Sequence, residues 1–258
     1  MKQTWIIRPR SIFFIITCLL FAVLIVQAGF SLEDGAKKGL VTYVEGMAKK
    51  QKLQDVDWLS VAENTPVISG ERVRTFSESR AELELAKLDR IRMAPKTTID
   101  ILKLYEESKA QVRESTVLLQ SGDIWANIAK KDEKVKFSIN TPVAAAAITG
   151  TTLRLSADAD STAELKVYSG EVVISNVPAD SVNTVKKTSL QPYQVEGPKQ
   201  IAGPREVSMQ EWTLIVKSMQ KVRVNKHGQI QQTGSFSSSD PDEQSDWVKW
   251  NQEMDRRP

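Results

Sequence analysis

The chain has 258 residues, 41% hydrophobic and 26% charged, an ordinary globular mixture that excludes a disordered or fibrous polypeptide. Lys2, Arg8 and Arg10 precede an apolar run and account for the formal net charge of +3, because the other 32 basic residues are matched by 32 acids. A body without net charge or a basic stripe excludes nucleic acid as a partner class. Cys18 is the only cysteine and His227 the only histidine. Cysteine–histidine and serine–histidine catalysis, a disulfide framework and a cysteine metal site are therefore not expected.

Residues 2–10 are positively charged, and Ile12 to Val26 is apolar apart from Thr17 and Cys18. Val26-Gln27-Ala28 has small or modest residues where a signal peptidase reads, which predicts a signal peptide over 1–28. The alternative is an uncleaved signal anchor over residues 11–30 with its basic end inside. Thr17 and the position of Cys18 within the run argue against a lipoprotein. Both readings export residues 31–258; the expected location is the periplasm, with a tether to the inner membrane in the second case.

Gly39 to Gly46 alternates between glycines and predicts the first strand. Trp58-Leu59 follows in a polar stretch, with Trp58 expected to pack over the core. Alternation then persists: Ala81, Leu83 and Leu85 against Arg80, Glu82 and Glu84; Ile124, Ala126 and Ile128; Val135, Phe137 and Ile139; Leu165 and Val167 against Lys166 and Tyr168. Ser69-Gly70-Glu71, Ser121-Gly122-Asp123 and Ser169-Gly170-Glu171 each precede a β run, suggesting a coarse repeat of winding strands. Thr141-Pro142 ends a strand, four alanines (Ala144 to Ala147) permit close approach, and Thr149-Gly150-Thr151 turns a corner. Short alternating strands predict an all-β body from 39 to 195, built as a β-roll (solenoid-like) or a β-sandwich.

These segments resemble the FecR domain. Its pattern is met by Gly39 to Gly46, Trp58, Gly70-Glu71-Arg72-Val73-Arg74-Thr75, Ser79 to Leu83, Pro95-Lys96-Thr97, Leu119 to Gly122, Thr141 to Thr151 and Gly170-Glu171-Val172. The fold signature is carried by Gly70, Gly122, Thr141, Pro142, Gly150, Thr151 and Gly170. Two places depart from it: Asp89-Arg90-Ile91 lacks a turn glycine, and Thr149 stands where the family often has arginine. Family members that regulate sigma factors carry a helical cytoplasmic domain before one membrane span. Only residues 1–11 precede the apolar run in this chain. The resemblance implies the envelope half of such a system without the switch half.

After Gly197-Pro198 and Gly203-Pro204, Ser208 to Glu211 reads as a capping box, with Val207 and Trp212 as its staple. Met209, Trp212, Val216 and Met219 make a helical stripe, so 205–230 is expected to be a docking helix and turn. Residues 231–258 are expected to be a flexible linker (231–240) and a short terminal helix. In that helix Asp240 caps, Pro241 opens, and Trp247, Trp250 and Met254 share one side. Trp212, Trp247 and Trp250 are the candidate partner contacts. The terminal segment resembles endings that follow FecR domains in exported proteins.

Asp158-Ala159-Asp160-Ser161 offers oxygens but lacks the further ligands of a calcium loop, and reads as a hairpin tip. Ile148 stands where a carboxylate would be needed for Thr149-Gly150-Thr151 to resemble an aspartic-protease loop. The sequence therefore predicts no enzyme, no cofactor and no metal site. The expected function is envelope sensing, protein binding or scaffolding with an envelope protein as partner. The alternative is a peptidoglycan- or glycan-binding module using Trp58 or Trp125.

Overall fold

The computed structural model describes residues 38–86, 89–107, 113–130, 135–176 and 211–256. The leader, residues 1–28 or 11–30, and the capping box at Ser208 lie outside them or at their edge. Among the described residues seventeen strands form two layers. In layer A the hydrogen-bonded order is β4 (Pro66–Val67), β1 (Gly39–Glu45), β6 (Arg80–Ala86), β7 (Asp89–Met93), the second half of β9 (Arg113–Ile128), β12 (Thr151–Ala157), β13 (Ala163–Ser169), β16 (Gln220–Val224) and β17 (Ile230–Ser235). In layer B it is β3 (Leu59–Val61), β2 (Ala48–Lys52), β5 (Glu71–Thr75), β8 (Thr98–Glu107), the first half of β9, β10 (Val135–Asn140), β11 (Ala145–Ile148), β14 (Glu171–Ser175) and β15 (Thr213–Lys217).

Both orders are open and linear, so neither layer closes into a barrel. The pairs are antiparallel except β9 with β10, which run parallel. The chain lays down one or two strands in one layer and crosses to the other, which is the winding of a roll flattened into two layers. Alternation explains the packing: Leu83, Ile91, Ile124, Leu153 and Val167 of layer A enter the same buried cluster as Val73, Ile99, Val117, Ile139 and Ile174 of layer B. Each such side chain contributes about 1.5–3 kcal/mol on burial.

The crossings explain the recurring Ser-Gly steps. Gly70 lies between β4 and β5, Gly170 between β13 and β14, and Gly122 where β9 bends from layer B into layer A. Gly122 has φ +100°, and a Cβ there would lie 2.6 Å from the Cα of Thr97. Conformation and space both demand glycine at that point. Gly150 and Gly170 meet, since a Cβ on Gly170 would lie 2.7 Å from the Gly150 carbonyl oxygen, and the Thr151 hydroxyl donates to the Glu171 carbonyl at 2.9 Å. Thr141 closes the β10–β11 turn: its Oγ1 accepts from the Ala144 N–H at 3.0 Å while its own N–H donates to the Ala144 carbonyl at 2.7 Å. Pro142 is exposed at that turn.

Three expectations for the tail are corrected. The docking helix predicted within 205–230 is, wherever it is described, two strands in different layers: β15 pairs with β14 in layer B and β16 with β13 in layer A. Thr213, Ile215 and Val216 are β-branched, the segment alternates as well as it spaces helically, and the free edge of β14 offers it a ladder. Met219, at φ +62°, makes the tight turn between the two strands. The first half of the flexible linker expected over 231–240, Gln231 to Ser235, belongs to β17 and pairs along β16, so the β body extends past 195 to Ser235. The terminal helix exists, but α1 (Asp246–Met254) is capped by Ser245, whose hydroxyl accepts from the Val248 N–H at 3.4 Å. Asp240 precedes a separate 3-10 turn, η1 (Pro241–Gln244), and its side chain makes no cap there. Among the described residues no helix is long and apolar enough to cross a membrane.

Candidate functional site

Strand register places Tyr43, Glu82, Arg92, Trp125, Arg154, Lys166 and Lys221 opposite one another in turn, one line running across layer A. Their neighbours Ile91, Ile124, Leu155 and Leu165 point into the core, so this line faces outward. Directly opposed cations such as Arg154 and Lys166 repel unless anions intervene. The sheet supplies one carboxylate to each of three cations. Arg92 Nε donates to Glu82 Oε2 at 2.5 Å, Arg154 Nε to Asp123 Oδ2 at 2.8 Å, and Lys166 Nζ lies 3.8 Å from Glu164.

The C-terminal segment supplies the second carboxylate to each. It leaves β17 at Phe236, which is buried edge-on against Tyr168 with ring centroids 5.2 Å apart. η1 then sets Asp242 against Lys166 and 3.0 Å from Arg154 Nη1, and Glu243 accepts from Lys166 Nζ at 2.8 Å and from the Tyr168 hydroxyl at 2.7 Å. Helix α1 continues across the strands. Trp247 Nε1 donates to Asp123 Oδ1 at 3.2 Å, and the buried Asn251 offers its carbonyl to Arg92 Nη1 at 3.2 Å. Asp255 closes the far end, accepting from Arg92 Nη1 at 2.7 Å and from Trp125 Nε1 at 2.9 Å. Trp250 stacks on Trp247 (5.5 Å), meets Tyr43 (5.6 Å), and lies under the guanidinium of Arg80 at 5.2 Å.

Buried charge sets the protonation states. Burial pushes the Asp242 carboxyl up, but the hydrogen bond from Lys166 and the charge of Arg154 outweigh it and hold it below its ordinary value. Burial likewise disfavours the Lys166 cation, and the bonds to Asp242 and Glu243 more than restore it. Tyr168 is pushed up by burial and by its bond to Glu243, so its hydroxyl stays protonated and donates. The arrangement grips an anionic, aromatic peptide segment laid across a sheet.

Of the three tryptophans expected to contact a partner, Trp247 and Trp250 come together on this face. Trp212 does not join them: it packs half-buried against the main core, its indole N–H donating to the Gly228 carbonyl at 2.7 Å. Trp125 is buried beneath the tail and unavailable for stacking on a sugar, whereas Trp58 sits half-buried in a loop beside exposed Val56 and Leu59. His227 is exposed, and Asp158 to Ser161 forms the tip of the β12–β13 hairpin. A surface cleft of about 600 Å³ lined by Glu45, Ser77, Glu78, Arg80, Pro95 and Lys96 adjoins the Trp250 end. Sequence reasoning does not single out Arg92, Arg154 and Lys166. They read only as polar outward positions of strands, and register alone unites them.

The fold and this face define an all-β, two-layer module that holds a peptide across one surface. Residues 71–173 match the family model described as FecR protein, and the chain contains a FecR-type domain there. No curated protein sequence matches the chain. Two crystal structures of a "putative anti-sigma factor" from Parabacteroides distasonis are similar to it at 13% and 12% identity, each with a TM-score of 0.41 and covering 64% of this chain. The match spans 59% of the length of those chains.

Proposed function

We propose that this protein is a non-enzymatic, exported FecR-type module that acts in the cell envelope as a sensing, protein-binding or scaffolding component. The FecR-type domain over 71–173 carries this reading, because it is the regulatory envelope class that the match supports. The cation row of layer A agrees with it, being built to hold a polypeptide. In the glycan-binding reading Trp125 is covered by the C-terminal segment, so that reading rests on Trp58. The N-terminal segment exports the body, either cleaved after Ala28 or retained as a tether.

Tagged full-length chain, cross-linked in the envelope and isolated, is expected to carry one protein partner in stoichiometric amount. Co-sedimentation with purified peptidoglycan, lost in Trp58→Ala, would replace protein binding by glycan binding. Mass spectrometry of the mature N-terminus is expected to begin at Gly29; an intact Met1 in the membrane fraction selects the anchor.

A further inference from the structure

We propose that the outer face of layer A is a docking groove for an acidic, tryptophan-bearing segment of another protein, and that residues 240–256 of this chain occupy it as an exchangeable intramolecular lid. The proposal rests on the protein-binding reading above and names its surface and the chemistry of its partner.

Three cations of the row, Arg92, Arg154 and Lys166, are each paired twice. Arg92 is shared between Glu82 of the sheet and Asp255 of the tail, Arg154 between Asp123 and Asp242, and Lys166 between Glu164 and the Asp242–Glu243 pair. When the tail lifts, each cation keeps a carboxylate from its own sheet and gains water. Removing one partner from a buried ion pair is costly because a bare charge is left behind. Here departure of the whole segment leaves no bare charge on the sheet. Charges held only by the tail would have bolted it down; charges held twice allow it to leave.

The tail is also independent of the core. The apolar contacts beneath it, Ala94, Trp125, Trp247 and Val248 with Tyr168 and Trp250 beside them, form a cluster distinct from the interlayer core. Lifting the tail therefore leaves the two-layer packing intact. The tail joins β17 through the exposed Ser237, Ser238 and Ser239. A hinge in that turn opens the lid without unpairing β17.

The face itself defines what fits it. Uncovered, it would present Arg92, Arg154, Lys166 and Lys221 in line, with Trp125 and Tyr168 among them. A segment that fits must supply carboxylates at the two ends and aromatic rings between, which is the pattern of Asp242, Glu243, Trp247, Trp250 and Asp255. Such a row discriminates by charge and ring placement more than by area.

The test uses the full chain with a protease site inserted between Ser238 and Ser239, cleaved after folding so that every residue remains present. A fluorescent peptide copying residues 240–258 is added in excess. Saturable uptake with release of the resident tail is expected, weakening as salt is raised. A peptide carrying Asp242→Asn, Glu243→Gln and Asp255→Asn is expected to compete at least about tenfold more weakly. The partner isolated from the envelope is expected to displace the labelled peptide. A resident tail that stays bound while no labelled peptide enters overturns the proposal, as does equal competition by the uncharged peptide. A concentration-dependent dimer of the uncleaved chain, formed by exchanging tails, makes a second copy the occupant and also overturns it. Partner capture unchanged in Arg154→Gln and Lys166→Gln, with peptide uptake reduced, places the partner elsewhere. That outcome ends this proposal and leaves the protein-binding reading standing.

Discussion

Layer A makes two interfaces from the same strands, and they are opposite in chemistry. Its inner face sends Ile91, Ile124, Leu155 and Leu165 against layer B. Its outer face sends Arg92, Trp125, Arg154 and Lys166, each one residue away, against the C-terminal segment. The inner contact is apolar, insensitive to salt and bound up with folding itself. The outer one is held by charge-assisted hydrogen bonds, which confer specificity but little net stability, because burying ions costs about as much as pairing them returns. A β-strand with period 2 can therefore hold a permanent interface on one side and a conditional one on the other.

The largest loss is expected from the inner face. Ile124→Ala removes a fully buried side chain from the interlayer core and is expected to cost about 2–5 kcal/mol in a denaturation experiment monitored by circular dichroism. Arg92→Ala, on the adjoining strand, strips Glu82 and Asp255 of their shared cation, and Arg92 is 1% exposed. A rigid interface would lose about 3–5 kcal/mol for such a stranded pair. A lid that lifts admits water to Glu82 and caps the loss at the cost of lifting, so about 2 kcal/mol is expected. Hydrogen exchange should then show the α1 amides unprotected while those of β9 remain protected. A loss equal to or above that of Ile124→Ala, with both elements deprotected together, would mean that the two interfaces are one cooperative unit.

Much of this architecture was legible in the chain. The inner face follows from alternation, and the layer crossings from Ser-Gly steps, because only glycine accepts the φ of +100° and the contact with Thr97 found at Gly122. Legibility failed where two periods coincided. Trp212, Val216 and Met219 satisfy a helical stripe, yet Leu214 and Val216 also alternate with Thr213, Ile215 and Lys217, and the waiting edge of β14 decided the outcome. Gln231 to Ser235 reads as a linker by composition but pairs along β16, where its side chains stay exposed and need not be apolar. The site was hidden for a different reason. Arg92, Trp125, Arg154 and Lys166 are far apart in sequence and become neighbours only through strand order and register, which no local pattern encodes.

A smaller effect is expected where a layer satisfies its own charge. In layer B, Arg72 grips Asp100 at 2.5 and 2.7 Å, and Gln120 donates to the same carboxylate at 2.8 Å. Arg72 is 31% exposed, so solvent screens the pair, and Asp100 keeps its bond to Gln120 when the arginine is removed. Arg72→Ala is expected to cost about 1 kcal/mol or less by chemical denaturation and to leave protection of α1 unchanged. Loosening of α1 in that variant would show that the layers transmit to each other and that the tail is not governed by layer A alone.

The finest distinction lies in pH. Asp242 is held below its ordinary value of 3.8, so its carboxylate stabilises the closed tail above that value, and the contribution is lost as pH falls through its lowered folded pKa. Asp123, raised by burial in spite of its bonds from Arg154 and Trp247, acts in the opposite sense and gains on acidification. Measuring wild type against Asp242→Asn isolates the Asp242 charge together with its repulsion of Asp123, which that charge helps to raise, because asparagine stands in for the protonated carboxyl. The expected difference in tail protection is constant at neutral pH, shrinks below about pH 4 and closes as Asp242 becomes protonated. Half of the Asp242 side chain is open to solvent, so this difference is expected to fall below the loss in Arg72→Ala and to shrink further in high salt. A difference that widens on acidification would mean that Asp242 is protonated in the closed state, and that Lys166 and Arg154 are gripped from elsewhere.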